Sequence, residues 1–328
     1  MSVLVTGGAG YIGSHMVWAL LDAGEDVVVL DRLSTGFDWA VPGQATLIVG
    51  EVGDERALET LFQAYDIDAV MHFAGSIVVP ESVADPLSYY KNNTSASRTL
   101  IEHSVKAGVK HFVFSSTAAV YGASGQEPVR ETAVAAPESP YGWSKLMTEQ
   151  ILADASAAHD LEYAVLRYFN VSGADPDQRT GQSTKGATHL IKVACEVALG
   201  MRDRLEIFGT DYPTSDGTCV RDYIHVTDLV DAHLLALRHL RGGKGSLTAN
   251  CGYGQGFSVR EVVEAVSQVI DRELPHKEVG RRAGDPASIV ADAEVAREVL
   301  GWTPRHDKLS GIVTAALQWE QHLLRRNR

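Results

Sequence analysis

The run Thr6-Gly7-Gly8-Ala9-Gly10-Tyr11-Ile12-Gly13 follows directly on a short apolar stretch, residues 3–6, and opens an amphipathic segment, residues 11–23. No other feature constrains the fold as strongly. Glycines at 7, 10 and 13 allow a tight strand-to-helix turn, close approach of a pyrophosphate to the backbone, and close packing of helix on strand. The helix N-terminus adds N–H donors and the positive end of its dipole. Asp31 closes the next apolar run, residues 27–31. Its carboxylate suits the two hydroxyls of a ribose and repels a 2′-phosphate. The expected cofactor is therefore NAD and not NADP, with Arg32 beside it as the residue type that can accept a 2′-phosphate.

The same alternation continues downstream. Apolar runs at 46–49, 69–73, 112–115 and 163–167 read as buried strands, and segments 54–64, 86–107 and 140–159 read as helices. Strands that are apolar throughout, separated by helices, imply an α/β fold with a doubly wound, Rossmann-type parallel sheet. Residues 122–140, rich in Gly, Pro, Glu and Ala, read as a surface loop. After residue 170 the loops lengthen and short strands appear at 205–208 and 247–250. The expected division is an NAD-binding domain, 1–173, and a smaller C-terminal α/β substrate lobe, 174–328. Segments near 223–240 and 247–250 are expected to return to the sheet.

The chain has 328 residues, 29 basic and 42 acidic, for a net charge of -13. This balance argues against nucleic acid as a partner, which needs a basic face. It also requires a local basic cluster wherever an anionic substrate binds. Cys195, Cys219 and Cys251 form neither a metal-ligand spacing nor a disulfide framework, so a reducing compartment and no metal are expected. The chain enters a strand pattern at once and carries no apolar run of membrane-spanning length. No leader peptide, no membrane and a cytoplasmic location are the expectation.

Catalytic chemistry is legible in two segments. The strand at 112–115 ends in Ser115-Ser116-Thr117, and further on comes Tyr141-Gly142-Trp143-Ser144-Lys145. Tyr and Lys four apart share one helix face. A phenol at about 10 is too basic to act near neutrality. A nearby ammonium and a positive nicotinamide ring favour phenolate. Tyr141 can then take a hydroxyl proton while hydride leaves the same carbon. The Thr117 hydroxyl can bond the same oxygen.

At these residues the chain resembles the extended short-chain dehydrogenase/reductases and, among them, the UDP-galactose 4-epimerases. The resemblance runs over nearly the whole chain. It rests on residues 3–15, His72-Phe73-Ala74-Gly75, Glu81-Ser82, residues 86–93, 114–122, 139–150, 166–170 and 207–212, and most characteristically on Asp216-Gly217-Thr218 followed by Val220-Arg221-Asp222-Tyr223-Ile224-His225-Val226, with Arg281 to Asp285 beyond. It implies that Tyr11, Ile12, Asp31, Arg32, Leu33, Ser34, Thr35 and Gly36 line the adenosine and pyrophosphate site, with Glu51 and Val52 near the adenine. Phe73, Ala74, Gly75 and Asn92 would continue it toward the nicotinamide ribose. Tyr141 would be the base and acid, Lys145 would hold the ribose and tune the phenol, and Thr117 would bridge to substrate. Phe169 and Asn170 would sit between nicotinamide and sugar. For the substrate, Arg221 and Arg282 would clamp the diphosphate, Phe208 would pack near uracil, and Asp285 would bind the uridine ribose. His189, Leu190 and the pocket-wall position Ile289 complete the implied set. Ile77 stands where many members carry Lys beside the cofactor.

The implied activity is interconversion of UDP-glucose and UDP-galactose. Hydride leaves sugar C4 for bound NAD, the 4-keto sugar turns, and hydride returns to the other face. Such chemistry needs firm anchoring of UDP and few contacts to the sugar. A 4,6-dehydratase would need a further acid/base pair after Thr117, where this chain has Ala118-Ala119. The alternatives are an epimerase of another UDP-sugar (N-acetylhexosamine, pentose or uronate), a uronate decarboxylase, or a non-catalytic NAD-binding sensor, which would tend to lose the Tyr/Lys pair. By the same resemblance a homodimer is expected, joined through the segments 86–107 and 140–159.

Overall fold

The structure, a computed structural model, describes residues 1–123, 128–282 and 286–326. The first half alternates β1 (Ser2–Thr6), α1 (Tyr11–Asp22), β2 (Asp26–Asp31), β3 (Thr46–Val49), α2 (Glu55–Ala64) and β4 (Ile67–His72). It continues through α3 (Val79–Ala84), α4 (Pro86–Tyr89), α5 (Ala96–Lys106), β5 (His111–Ser115), α6 (Pro140–Ala158) and β6 (Glu162–Tyr168). After it come β7 (Asn170–Ser172), α7 (Leu190–Ala198), β8 (Leu205–Phe208), β9 (Val220–His225), α8 (Val226–Arg241) and β10 (Leu247–Cys251). The chain closes with β11 (Gly256–Ser258), α9 (Val259–Val269), β12 (His276–Val279), β13 (Ser288–Ile289), α10 (Glu294–Val299) and α11 (Leu309–Arg326).

The main sheet runs β10-β6-β5-β4-β1-β2-β3 with every neighbouring pair parallel. This is the doubly wound α/β fold expected from the strand pattern. Side chains alternate across the sheet, and both faces are apolar. Val3, Val5 and Val29 pack with Met16, Val17 and Leu20 of α1 and with Leu229 and Leu237 of α8. Leu4, Val28 and Leu30 pack with Leu58 and Leu61 of α2, Leu100 of α5 and Leu152 of α6. Reversal of strand order at β1 and β4 opens a crevice at the carboxyl ends of the strands, where ligands bind in such sheets.

Beyond Phe169 the chain leaves this sheet. A smaller sheet pairs β11, β9 and β13, with β7 also on β9, while β8 and β12 form a separate parallel pair. Strand β10 returns to the main sheet beside β6, and α8 packs on α1, β5 and β6. The stretch from Tyr223 is thus divided: its helix rejoins the sheet, whereas β9 does not, because β10 already occupies the free edge of β6.

Two segments carry a feature that the sequence pattern does not show. Residues 86–106 run as one continuous helix, as expected, but with a π turn, Tyr90–Ser95, between α4 and α5. There Asn93 is 2% exposed and spends its amide outside the helix, accepting from Ser76 N at 2.7 Å and donating to Ser76 O and Ser144 Oγ, both at 2.9 Å. Those bonds tie the π turn to the loop after β4 and to α6. The segment read as a surface loop at 122–140 is anchored in its described part. Val129 is fully buried, its N–H donates to Val290 O at 2.8 Å, and its carbonyl accepts from Asp292 N at 2.8 Å.

Candidate active site

One cleft of about 1930 Å³ runs from the Gly-rich turn to the loops around β8 and β13. At its first end Gly7 adopts φ +72°, and a Cβ there would lie 2.6 Å from Ala74 N. A Cβ on Gly13 would lie 2.1 Å from the Gly7 carbonyl oxygen. The turn can therefore bring the start of α1 onto β1 only with glycine at both places. Gly7, Gly10, Tyr11, Ile12 and Gly13 line the cleft. N–H groups in a first helical turn lack intrahelical acceptors, so this loop suits a diphosphate.

Asp31 lines the same end, 8% exposed. Its Oδ2 accepts Ala9 N at 2.9 Å and its Oδ1 accepts Leu33 N at 2.8 Å. These bonds fix the carboxylate on the turn, and each oxygen retains acceptor capacity for a ribose hydroxyl. Arg32 lines the cleft beside it: its Nε donates to Ser34 Oγ and its Nη1 to Asn92 Oδ1, each at 3.0 Å. Ser34, Thr35, Glu51, Val52, Phe73, Ala74, Gly75 and Asn92 also line the cleft. Leu33 and Gly36 do not. Leu33 instead holds a positive φ of 57° beside Asp31, and Gly36 packs against the Ala9 carbonyl.

Thr117 and Tyr141 face each other in the middle of the cleft, 8% and 7% exposed. Helix α6 starts at a true cap, with Ser139 Oγ accepting Gly142 N at 3.2 Å and Pro140 in the first turn. The cap places Tyr141 one residue into the helix, over the end of β5. Burial pushes the Tyr141 phenol up, and its hydrogen bond with Thr117 pulls it back. Lys145 is buried behind them and does not line the cleft. Its Nζ donates to Ser115 O at 2.8 Å and lies 4.6 Å from the centre of the Phe114 ring. Burial lowers the ammonium to about 8, and the Glu149 carboxylate opposes that fall. The expected tuning of Tyr141 by Lys145 is thus not a direct contact in the protein alone. Lys145 answers to Ser115 and Glu149.

At the far end Phe169, Asn170, His189, Leu190, Phe208, Arg221, Arg282 and Ile289 all line the cleft. Ile289 pairs with Arg221 across β13 and β9 and packs with Phe169, Val120 and Ala118. The Arg282 guanidinium lies 5.4 Å from the centre of the Phe208 ring. In a chain of net charge -13 these two arginines give this cleft the local positive charge that an anion requires. Asp285 lies outside the described residues. Lys91, Gln182, Arg202 and Arg204 also border the cleft and were not singled out from the sequence.

A Rossmann sheet whose cleft joins a dinucleotide turn to a Tyr–Thr pair backed by lysine defines a class: an enzyme that moves hydride and proton at a sugar or alcohol carbon. The chain belongs to the NAD dependent epimerase/dehydratase family, whose model matches residues 3–252. NAD is accordingly its cofactor. It is 59% identical over 321 residues to a UDP-glucose 4-epimerase of Azospirillum brasilense, covering 98% of this chain and 92% of that one. Among solved structures it resembles UDP-glucose 4-epimerase from Brucella ovis in complex with NAD, with TM-score 0.94, 42% identity and 97% of each chain covered. It also resembles the UDP-Glc/GlcNAc 4-epimerase from Campylobacter jejuni, with TM-score 0.86, 45% identity, and 98% and 99% covered.

Proposed function

We propose that this protein interconverts UDP-glucose and UDP-galactose by transient oxidation at sugar C4 and return of hydride to the opposite face. One observation carries the reading: the Tyr141–Thr117 pair lies in a single cleft between the dinucleotide turn and the Arg221, Arg282 and Phe208 cluster. The names of the relatives point the same way. NAD, when bound, supplies the hydride acceptor that holds the hydride for return. Gly7 to Gly13 and Asp31 hold the dinucleotide at the N-terminus of α1. Thr117 holds the C4 oxygen, and Tyr141 takes its proton and later gives it back. Arg221 and Arg282 retain the diphosphate while the keto sugar turns, which is why few residues need to grip the sugar itself. Purified protein given UDP-galactose, without added cofactor, should yield UDP-glucose by NMR of the anomeric protons. No turnover from cofactor-loaded protein would exclude the reading.

Since hydride returns to the substrate, the cofactor has no need to leave. Denatured, freshly purified protein is expected to release NAD, measured by chromatography. Recovery of NADP alone would overturn the role given to Asp31.

The breadth of substrate is set at Ile289. It is both cleft wall and core, 9% exposed. Its apolar side chain offers a sugar no hydrogen bond, so its selectivity is steric and modest. UDP-glucose and UDP-galactose are the main substrates, with weaker turnover of the N-acetylated pair. Ile289→Tyr should lower N-acetyl turnover by about tenfold or more and spare the hexoses. Equal loss on both pairs would assign Ile289 to the fold alone.

The working unit in this reading is a homodimer in the cytoplasm. Leu87 on α4 and Trp143 and Met147 on α6 are 78%, 42% and 41% exposed, on helices that pack together. All three cysteines are buried and unpaired, which suits a reducing compartment. Among the described residues no helix is long and apolar enough to cross a membrane. Sedimentation at the mass of a single chain would rule out the dimer.

A further inference from the structure

Tyr141, Lys145 and Glu149 recur every four residues along α6, one above the other against the end of β5. Each meets a different residue of that strand end. Tyr141 faces Thr117, Lys145 Nζ donates to Ser115 O at 2.8 Å, and Glu149 Oε1 accepts from Ser116 Oγ at 2.5 Å. Ser116 is fully buried and its N–H donates to Leu166 O at 2.8 Å, so it cannot be a substrate contact. Its hydroxyl exists to meet Glu149.

Glu149 is itself buried, 7% exposed, and paired with Arg167 of β6. Arg167 Nη2 donates to Oε2 at 2.6 Å, and Nε reaches Oε1 and Oε2 at 3.1 and 3.2 Å. Arg167 Nη1 continues to the Tyr121 hydroxyl at 3.0 Å, which donates to Asn250 Oδ1 at 2.7 Å. Asn250 Nδ2 in turn holds Val129 O at 2.9 Å and Asp292 O at 3.2 Å. One chain of bonds therefore joins the catalytic strand end to the segment beside Ile289. A buried ion pair is costly to desolvate and is weak evidence for stability, so its persistence here calls for another reason.

We propose that Glu149 is a positioning residue of this active site: through Ser116 it sets the strand end that presents Thr117 to Tyr141, and it supplies the counter-charge one turn beyond Lys145. The inference rests on the epimerase reading for its kinetic consequence and on geometry for its structural one. Burial draws Lys145 down to about 8 against the pull of Glu149, so loss of that carboxylate lets the ammonium deprotonate at lower pH. The other titratable groups around the pair include His72 on β4, which burial and Lys145 keep neutral, Tyr141 on α6, Tyr121 after β5, and Tyr163, Arg167 and Tyr168 on β6.

The test compares holoenzyme carrying Glu149→Gln with the unaltered protein. An amide oxygen still accepts from Ser116, so the charge is what is removed. The alkaline limb of the kcat–pH profile should move down by about one unit, with KM for the UDP-sugar unchanged. The Lys145 resonance in ¹³Cε-lysine NMR, assigned with Lys145→Arg, should titrate lower by a similar amount. That second readout needs no turnover, so it still decides the role of Glu149 if the epimerase reading fails. An unmoved Lys145 titration in folded Glu149→Gln overturns the counter-charge. Should that variant not fold, Ser116→Ala keeps the ion pair and removes only the tie. There kcat should fall by about tenfold with KM and the pH limbs unchanged, since small displacements of reacting groups cost this much or more. Full kcat in Ser116→Ala overturns the positioning role.

Discussion

Tyr141→Phe is expected to lower turnover of UDP-galactose by about 10²–10⁴-fold, the range for loss of a positioned general base. The ring remains, so packing beside Thr117 and the cap at Ser139 are kept. The hydroxyl is the one group of Tyr141 that can reach a substrate oxygen. In the protein alone, burial holds that phenol above its ordinary value. The cations that favour phenolate are the Lys145 ammonium and, when NAD is bound, the nicotinamide ring. UDP affinity should be unaffected, because Arg221, Arg282 and Phe208 lie at the other end of the cleft. Calorimetric titration with UDP measures the second quantity and initial rates the first. Near-normal turnover in Tyr141→Phe would mean that another residue moves the proton.

Gly13→Ala should abolish NAD retention and lower the melting temperature by a few degrees. The added Cβ meets the Gly7 carbonyl oxygen at 2.1 Å, its carbon at 2.8 Å and Gly8 Cα at 2.9 Å, all backbone. Gly7 cannot give way, because it is itself seated against the Ala74 backbone at a positive φ. Overpacking of this kind costs about 1–3 kcal/mol, and each kcal/mol moves the midpoint of a chain this size by roughly 1.5 °C. The cofactor loss is the larger effect, since any relief must pull the start of α1 off β1. Gly311→Ala is the control. It lies in α11 with open space around the new methyl and should be neutral or slightly stabilising. A Gly13→Ala protein that keeps a full complement of NAD and melts normally would contradict this account of the turn.

Much of the fold was legible because its signals are short-range. The strand at Thr46–Val49 was bounded from sequence as it is in the structure, and β1, β2 and β5 within a residue at one end. Apolar runs of this length, buried on both faces, announce a parallel sheet. The π turn at Tyr90–Ser95 was not legible: the bonds of Asn93 within it go to Ser76 and Ser144, which lie far from it in the chain. The anchoring of Val129 was hidden for the same reason: its partners are Val290 and Asp292.

The sequence by itself determined the cofactor end of this protein. Glycines at 7 and 13, Asp31 at a strand end, and a Tyr and Lys one turn apart each express a local geometric demand that few other residue types meet. What stands behind Tyr141 was decided only by the tertiary structure. Lys145 bonds the Ser115 carbonyl and has the Glu149 carboxylate as its nearby counter-charge. Arg167, unremarkable within an apolar strand, proves to hold Glu149. The reason is physical: spacing along a helix says which side chains share a face, whereas the charge each one feels depends on what the sheet packs against that face, and how far water is kept from it.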